Sequence, residues 1–423
     1  MIAITTITYR RRLGYPFSRA APLESLAENH LSTRRTMARH ICIVAGTRPE
    51  AIKLAPLITL LRKDRRFNVT LATTGQHTKM LDQAFQFFDI QPNLEFNVMD
   101  TTPDLLRLTE RTVQVMADLF RTLTPDMLLV QGDTTTAMVA AIASFYKRVP
   151  LGHVEAGLRS RDLAFPFPEE ANRRLISVVA DINFAPTWKA RQNLIDEGIP
   201  TSKITTTGNT VIDALLIGVA RHQVLLDPLL EPIMAWSGPI ILVTAHRRES
   251  WGAGMIDIAK ALKQLSNLRD DLLLVLPMHR NPVVRDVLSA ELSDQRNIIL
   301  TDPLDYGDLC TVLNSSSIVL TDSGGLQEEA PALGKPVLVL RSTTERPEGV
   351  ATGNAILVGT TPTNIVEAVT RLLDDPEHYR QMSSKANPYG DGKASARIVQ
   401  SLAAYFGLDI PPDDFNPDGT IPS

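Results

Sequence analysis

From His40 onward the chain is a succession of short apolar runs, each followed by a longer stretch of helical periodicity, and the whole succession is made twice. The first series has strand candidates at 40–45, 68–73, 127–130, 151–154, 182–185 and 203–207. Helical patterns fall at 50–63, 79–88, 103–123, 135–147, 169–180 and 187–197. The second series places strands at 240–244, 272–276, 298–300, 318–320, 337–340 and 355–358, again with helices between them. Neighbouring parallel strands need a long return that a helix supplies, so this alternation predicts parallel sheets with right-handed crossovers. The break between the series carries Gly208-Asn209, a helical stretch, and then Pro228, Pro232, Ser237, Gly238 and Pro239, which are turn residues. Two doubly wound sheets facing one another surround a crevice with their strand C-termini, where open α/β folds bind ligands.

A length of 423 residues exceeds what one core usually spans and agrees with two domains. The formal net charge of −4 argues against bulk attraction to nucleic acid or anionic lipid, so an anionic ligand must be caught by a local basic site. Cys42 and Cys310 are far apart and in no metal-ligand spacing; they read as small core residues in a reducing compartment. No apolar run reaches the ~18 residues of a membrane helix. The first 38 residues differ in composition, with Arg10, Arg11, Arg12, Arg19, Arg34 and Arg35 against Glu24 and Glu28. Such composition fits a transit peptide. Met37, directly before a strand pattern, favours a disordered extension or a misassigned start over 1–38.

The loops after the strands carry the polar residues. They read Gly46-Thr47-Arg48-Pro49-Glu50, Gln131-Gly132-Asp133-Thr134, His153-Val154-Glu155-Ala156-Gly157, His246-Arg247-Arg248-Glu249, His279-Arg280-Asn281-Pro282 and Asp322-Ser323-Gly324-Gly325. The last leads from a strand into a helix, and backbone N–H groups there, opened by Ser and two Gly, make a phosphate site. The alternative is that Asp322 or Ser323 simply caps the helix. The first loop lacks G-x-G-x-x-G, and no P-loop pattern occurs, which excludes a dinucleotide fingerprint and a P-loop NTPase. Pro49 suits a first helical turn; Arg48 and Lys53 could reach into the crevice, but Lys53 taken alone reads rather as a solvated face residue. Asp133, Glu155 and His246 stand at three strand mouths, where a crevice would gather them. Glu169 and Glu170 open a helix behind the rigid Phe165-Pro166-Phe167-Pro168, and either serve a site or complement the helix dipole.

Taken together, several strings resemble the non-hydrolysing UDP-N-acetylglucosamine 2-epimerase family: GTRPEAIKLAPL (46–57), TGQHTKML (74–81), QGDTTT (131–136), GHVEAGLRS (152–160), PEEANRR (168–174), TGNTVIDAL (207–215), VTAHRRES (243–250), TDSGGLQEEAPALGKPVLVLR (321–341), TTERPE (343–348) and NPYGDG (387–392). The resemblance runs from about His40 to the end. It implies a glycosyltransferase-B-like α/β fold with Rossmann-like halves at 39–208 and 209–393, the C-terminal helices at about 394–408 crossing back to the first. It also implies reversible conversion of UDP-GlcNAc to UDP-ManNAc in a cytoplasmic homodimer, without cofactor or metal, supplying ManNAc for cell-surface polysaccharide.

In that family UDP leaves as the C2 proton is removed, giving 2-acetamidoglucal, and then adds back while C2 is protonated on the other face. By resemblance Asp133, Glu155, Glu169 and His246 match catalytic positions. Arg48, Lys53, Ser323, Gly324, Gly325, Glu329 and Arg346 match UDP-binding positions. Gln76 and His279 match a second, activating UDP-GlcNAc site. Two departures stand out: Thr101-Thr102-Pro103 lacks a Gln found in relatives, which bears on activation, and Leu304 and Leu309 replace a polar residue and an aromatic near the uracil. Rival readings are a hydrolysing 2-epimerase, an epimerase of a diacetamido-uronic acid sugar, a retaining glycosyltransferase of the same fold, and a pure nucleotide-sugar-binding protein.

Overall fold

The computed structural model describes residues 38–75, 78–98, 104–221 and 225–417. The extension expected over 1–38 lies, but for Ala38, outside them, as do Gln76 and the Thr101–Pro103 segment.

The first sheet is built from β1 (Arg39–Ala45), β2 (Phe67–Thr73), β3 (Leu94–Glu95), β4 (Met127–Gln131), β5 (Leu151–Val154), β6 (Ile182–Ala185) and β7 (Ile204–Thr206). The second uses β8 (Ile240–Thr244), β9 (Leu273–Pro277), β10 (Ile298–Thr301), β11 (Ile318–Thr321), β12 (Val337–Val339) and β13 (Ala355–Leu357). All pairings are parallel. The orders are β3-β2-β1-β4-β5-β6-β7 and β10-β9-β8-β11-β12-β13, so each sheet reverses direction once, between β1 and β4 or between β8 and β11. This is the doubly wound arrangement expected from the alternation, and the glycosyltransferase-B-like fold that the resemblance implies. Strands such as Met127–Gln131 are buried throughout because helices cover both faces, which is why they read as unbroken apolar runs.

The departures from expectation are local. The two-residue β3 was missed because so short an edge strand has no period to detect. The helix expected from Pro103 begins at Leu105, with Asp104 accepting a capping bond from Leu106 N at 3.1 Å. The strand expected at 203–207 is shorter, its first residue taken by a 3-10 turn at Thr201–Lys203.

A single apolar cluster links the sheets. It joins Ile43 and Leu129 of the first sheet, Leu54 and Ile58 of the helix Arg48–Lys63, Ala214 and Leu215 of the helix Thr210–Ala220, and Val275 and Val319 of the second sheet. Ile398, Val399 and Leu402 of the helix Ala394–Tyr405 belong to it as well. That helix is anchored from the connecting helix, since Asp213 accepts from Ala394 N (3.2 Å) and Ser395 N (2.7 Å). The segment after it returns to the first sheet, where Phe415 N donates to Thr206 O at 2.7 Å and Trp188 Nε1 to Phe415 O at 3.1 Å. Among the described residues no helix is long and apolar enough to cross a membrane.

Candidate active site

The reversal points of the two sheets set the site. The loops after β1 and β4 emerge side by side, and so do those after β8 and β11. Glu50 ties the first pair together. Its Oε2 accepts from Gly46 N (3.2 Å), Thr47 N (2.8 Å) and Thr47 Oγ1 (2.7 Å), while Oε1 accepts from Thr134 Oγ1 (3.0 Å). The first-turn glutamate is thus a capping-box residue that also clamps the neighbouring loop. Burial pushes its pKa up to about 7 against those hydrogen bonds.

One helical turn along, Lys53 faces inward. Its Nζ lies 2.5 Å from Glu155 Oε2, which Gln131 Nε2 also contacts. Burial opposes the charged amine, but Glu155, Glu328 and Asp133 outweigh it and hold the Lys53 pKa above its ordinary value. Burial raises the Glu155 pKa, with Lys53 pulling the other way. Glu155 also adopts φ of 66°, a left-handed conformation uncommon for a residue with a side chain. Lys53 is therefore a crevice residue and not a solvated one.

Asp133 sits at the end of the β4 turn, held from the helix Glu169–Val179. Arg173 contacts its Oδ2 through Nε (2.9 Å) and Nη2 (2.6 Å), and Asn172 Nδ2 donates to its backbone carbonyl at 2.9 Å. Beneath it His153 is fully buried with Nε2 2.8 Å from Gly132 O, and burial lowers its pKa to about 4, so it is neutral. The paired acids at 169 and 170 separate in role. Glu170 is buried and bound by four donors, while Glu169 Oε2 is buried and without a hydrogen-bond partner.

Across the crevice, Asp322 is wholly buried and does not cap the helix that follows. It accepts from His246 N (2.6 Å) and Arg247 N (2.7 Å), and His246 Nδ1 stands 3.0 Å from its Oδ1. Burial would raise the Asp322 pKa, but these contacts bring it below its ordinary value. Ser323 makes no side-chain cap either. The start of the helix Gly324–Ala332 is therefore open, and the capping alternative does not hold. A methyl group placed on Gly324 would lie 3.8 Å from Nη2 of both Arg247 and Arg346, so two guanidinium groups flank the free N–H groups. Such a place suits a dianionic phosphate.

Arg346 is fixed by a buried ion pair with Glu328, which also accepts from Asn209 Nδ2 at 2.6 Å. Glu328 and Glu155 hold the Arg346 guanidinium firmly protonated despite burial. Burial, with Glu328 adjacent, pushes the Glu329 pKa up to about 7. Arg48 reaches across the crevice, its Nη2 donating to Leu304 O at 3.1 Å. His279 stacks on His246 with ring centroids 6.2 Å apart, and it lines a cavity of about 600 Å³ with Arg48, Met80, Gln83, Arg280 and Leu304.

The structure thus brings Lys53, Asp133 and Glu155 into one cluster that feels Glu328 electrostatically, and places His246, Ser323, Gly324 and Gly325 around the open helix start. Sequence reasoning missed Gln131, Arg173, Arg247 and Glu328. Arg173 had a signal, lying one helical turn beyond Glu169 and Glu170. The Glu328–Arg346 pair joins a helix to a distant loop and had none.

A family model described as UDP-N-acetylglucosamine 2-epimerase matches residues 59–403. The UDP-N-acetylglucosamine 2-epimerase of Escherichia coli strain K12 is 47% identical over 369 residues, 86% of this chain and 98% of that protein. The crystal structure of UDP-GlcNAc 2-epimerase from Neisseria meningitidis bound to UDP-GlcNAc is 42% identical with a TM-score of 0.80, covering 86% of this chain and 100% of that one. That of Methanocaldococcus jannaschii UDP-GlcNAc 2-epimerase in complex with UDP-GlcNAc and UDP is 30% identical with a TM-score of 0.72, covering 86% and 99%. Open helix start, facing carboxylates and these likenesses agree: the chain belongs to the UDP-N-acetylglucosamine 2-epimerase family.

Proposed function

We propose that this chain interconverts UDP-GlcNAc and UDP-ManNAc by eliminating and re-adding UDP, without hydrolysis. The observation that carries the reading is the uncapped helix start at Ser323–Gly325, flanked by Arg247 and Arg346 and facing the Lys53–Asp133–Glu155 cluster. The C1–O bond breaks with its electron pair going to the diphosphate, so the helix N–H groups and the arginines stabilise the charge that develops there. His246, its Nδ1 3.0 Å from Asp322 Oδ1, offers Nε2 as a further diphosphate partner in this reading. Loss of the leaving group makes the C2 hydrogen acidic. A carboxylate takes that proton, the C1=C2 bond of 2-acetamidoglucal forms, and a second group protonates C2 from the opposite face as UDP returns to C1. Asp133, Glu155 and Glu169 are the candidates. Glu169 Oε2 has no hydrogen-bond partner, and the contacts on Asp133 and Glu155 each fall on a single oxygen, Oδ2 and Oε2, so the three carboxylates stand as a set. Glu329, which matches a UDP-binding position of the family, binds the ribose hydroxyls in this reading, and closure of the 39–208 and 209–393 halves keeps water from the glucal.

Incubation with UDP-GlcNAc in D2O, followed by NMR, tests this. The expected products are UDP-ManNAc and UDP-GlcNAc carrying deuterium at C2, with little free sugar. Stoichiometric free ManNAc overturns the non-hydrolysing reading in favour of a hydrolase. Reaction only with a diacetamido-uronic acid sugar changes the substrate, and no reaction without an added acceptor points to a transferase.

The same reading makes the protein a cytoplasmic homodimer that supplies ManNAc for surface polysaccharide. A dimer face is supported by exposed Val113, Phe145, Tyr146, Leu175 and Val178 on three helices packed side by side, Leu105–Thr122, Thr135–Lys147 and Glu169–Val179. The match of Gln76 and His279 to the family's second site supports an activating UDP-sugar, His279 lying beside the cavity that Arg48 and Leu304 also line.

A further inference from the structure

Between the β4 turn and the helix Glu169–Val179 lies a chain of buried charge that the reaction outlined above does not use directly. Glu170 is completely buried. Its Oε2 accepts from Ser160 N (2.9 Å) and Arg173 Nη1 (3.3 Å), and its Oε1 from Arg161 N (3.2 Å) and Arg174 Nε (3.1 Å). Arg173, itself only 12% exposed, turns its other edge to Asp133. Both of those contacts fall on Oδ2. A guanidinium is planar and presents its donors in a fixed fork, so one arginine caught between two carboxylates sets the orientation of both.

We propose that Glu170 and Arg173 are a positioning unit for Asp133, holding its carboxylate by Oδ2 so that Oδ1 is presented to the sugar. The unit rests on the functional reading above. Glu170 locks the guanidinium rotamer and, through Ser160 N and Arg161 N, the start of the loop that ends at Glu169. One buried acid therefore sets the stations of two of the three candidate proton carriers, Asp133 and Glu169. The other charged or titratable groups facing Asp133 are Lys53 from the first helix and His153 and Glu155 from β5 and its loop. These act on Asp133 through space, whereas Arg173 bonds its carboxylate directly and determines its angle. A shift of a catalytic carboxylate by as little as 1 Å costs on the order of a hundredfold in rate.

The test uses the full-length enzyme with Arg173→Gln, Arg173→Lys, Glu170→Gln, Asp133→Asn and the Arg173→Gln/Asp133→Asn double variant. Turnover, UDP affinity by calorimetry and thermal melting are measured on each. Arg173→Gln should lower kcat by about a hundredfold while the UDP dissociation constant stays within about threefold. Arg173→Lys keeps the charge but loses the fork, and should recover about tenfold of that loss. In the double variant the two losses should not multiply, because both remove the same oriented carboxylate. Glu170→Gln should lower kcat in the same sense with UDP affinity retained. Multiplying losses, or a kcat for Arg173→Gln within threefold of wild type, overturns the proposal. So does a fall in UDP affinity as large as the fall in kcat. Should Arg173→Gln melt too low to assay, Arg173→Lys decides alone, since unchanged kcat in it removes the case for the fork. Failure of wild-type enzyme to place deuterium at C2 instead sinks the functional reading, and the two failures are read from different samples.

Discussion

Glu50 shows how one side chain serves local and long-range order at once. The spacing Thr47-x-x-Glu50 before an apolar periodic run marks a helix start, and that much needs only neighbouring residues. What neighbours do not reveal is that Thr134, from another strand's loop, completes its shell and that burial lifts its pKa to about 7. The consequence for stability has a definite sign. Below about 4.5 the acid is protonated in both folded and unfolded chains. As pH rises from there to about 7 the unfolded chain releases the proton while the folded one retains it, so stability falls. The loss is on the order of 3 kcal/mol, since each tenfold difference in proton affinity between the two states is worth about 1.4 kcal/mol. Glu50→Gln keeps an acceptor for Gly46 and Thr47 and removes the titration. The melting temperature of wild type minus that of Glu50→Gln should therefore drop by a few degrees between pH 5 and pH 8. A constant difference across that range contradicts the assignment. At the same scale Lys53 taken alone favours a solvated face, and the structure overturns that reading, because an inward or outward Lys depends on whether Glu155 arrives from another strand.

At the scale of elements, the helix Gly324–Ala332 separates what is local from what is not. Its existence and its glycine-rich start were legible, since a strand pattern, Asp-Ser-Gly-Gly and a helical run follow one another directly. Whether the start was capped or open was not legible, because Asp322 fits both. The decision comes from the adjacent strand β8, whose loop offers His246 N and Arg247 N to Asp322 and draws the carboxylate away from the helix. Gly324 has ordinary space around it, so an added methyl group costs no backbone strain and slightly favours the helix. The same methyl group would occupy ground between Arg247 and Arg346 that a phosphate needs. Gly324→Ala should melt at or above the wild-type temperature and bind UDP at least tenfold more weakly by calorimetry. Unimpaired binding would place the diphosphate elsewhere. By contrast β3 and the 3-10 turn before β7 escaped notice because elements this short carry no more than one period of their own pattern.

For the molecule as a whole, the apolar cluster that links both sheets is joined by a helix from the far end of the chain. Exposed Phe145 and Tyr146 on one helix and Leu175 and Val178 on its neighbour form a face of the kind that proteins cover by association. Wild-type protein at micromolar concentration should show the mass of a dimer by light scattering. A Tyr146→Lys/Val178→Asp variant should run as a monomer that still binds UDP, the site being built from other residues. A monomeric wild type, or a variant that stays dimeric, removes this face from consideration.

Sequence alone determined the repeated alternation, hence two parallel doubly wound sheets, and the placing of Asp133, Glu155, His246 and Ser323 at strand ends. Those are consequences of period and of local chain direction, which a linear pattern records. Tertiary structure decided which of those groups are paired and which are left unbonded: Lys53 with Glu155, Asp133 with Arg173, Asp322 with the His246 loop rather than with its own helix. Such partners come from separate strands and helices. Their meeting depends on strand order and on burial, where an unpaired charge is too costly to keep, and neither of these is written in the spacing of any one segment.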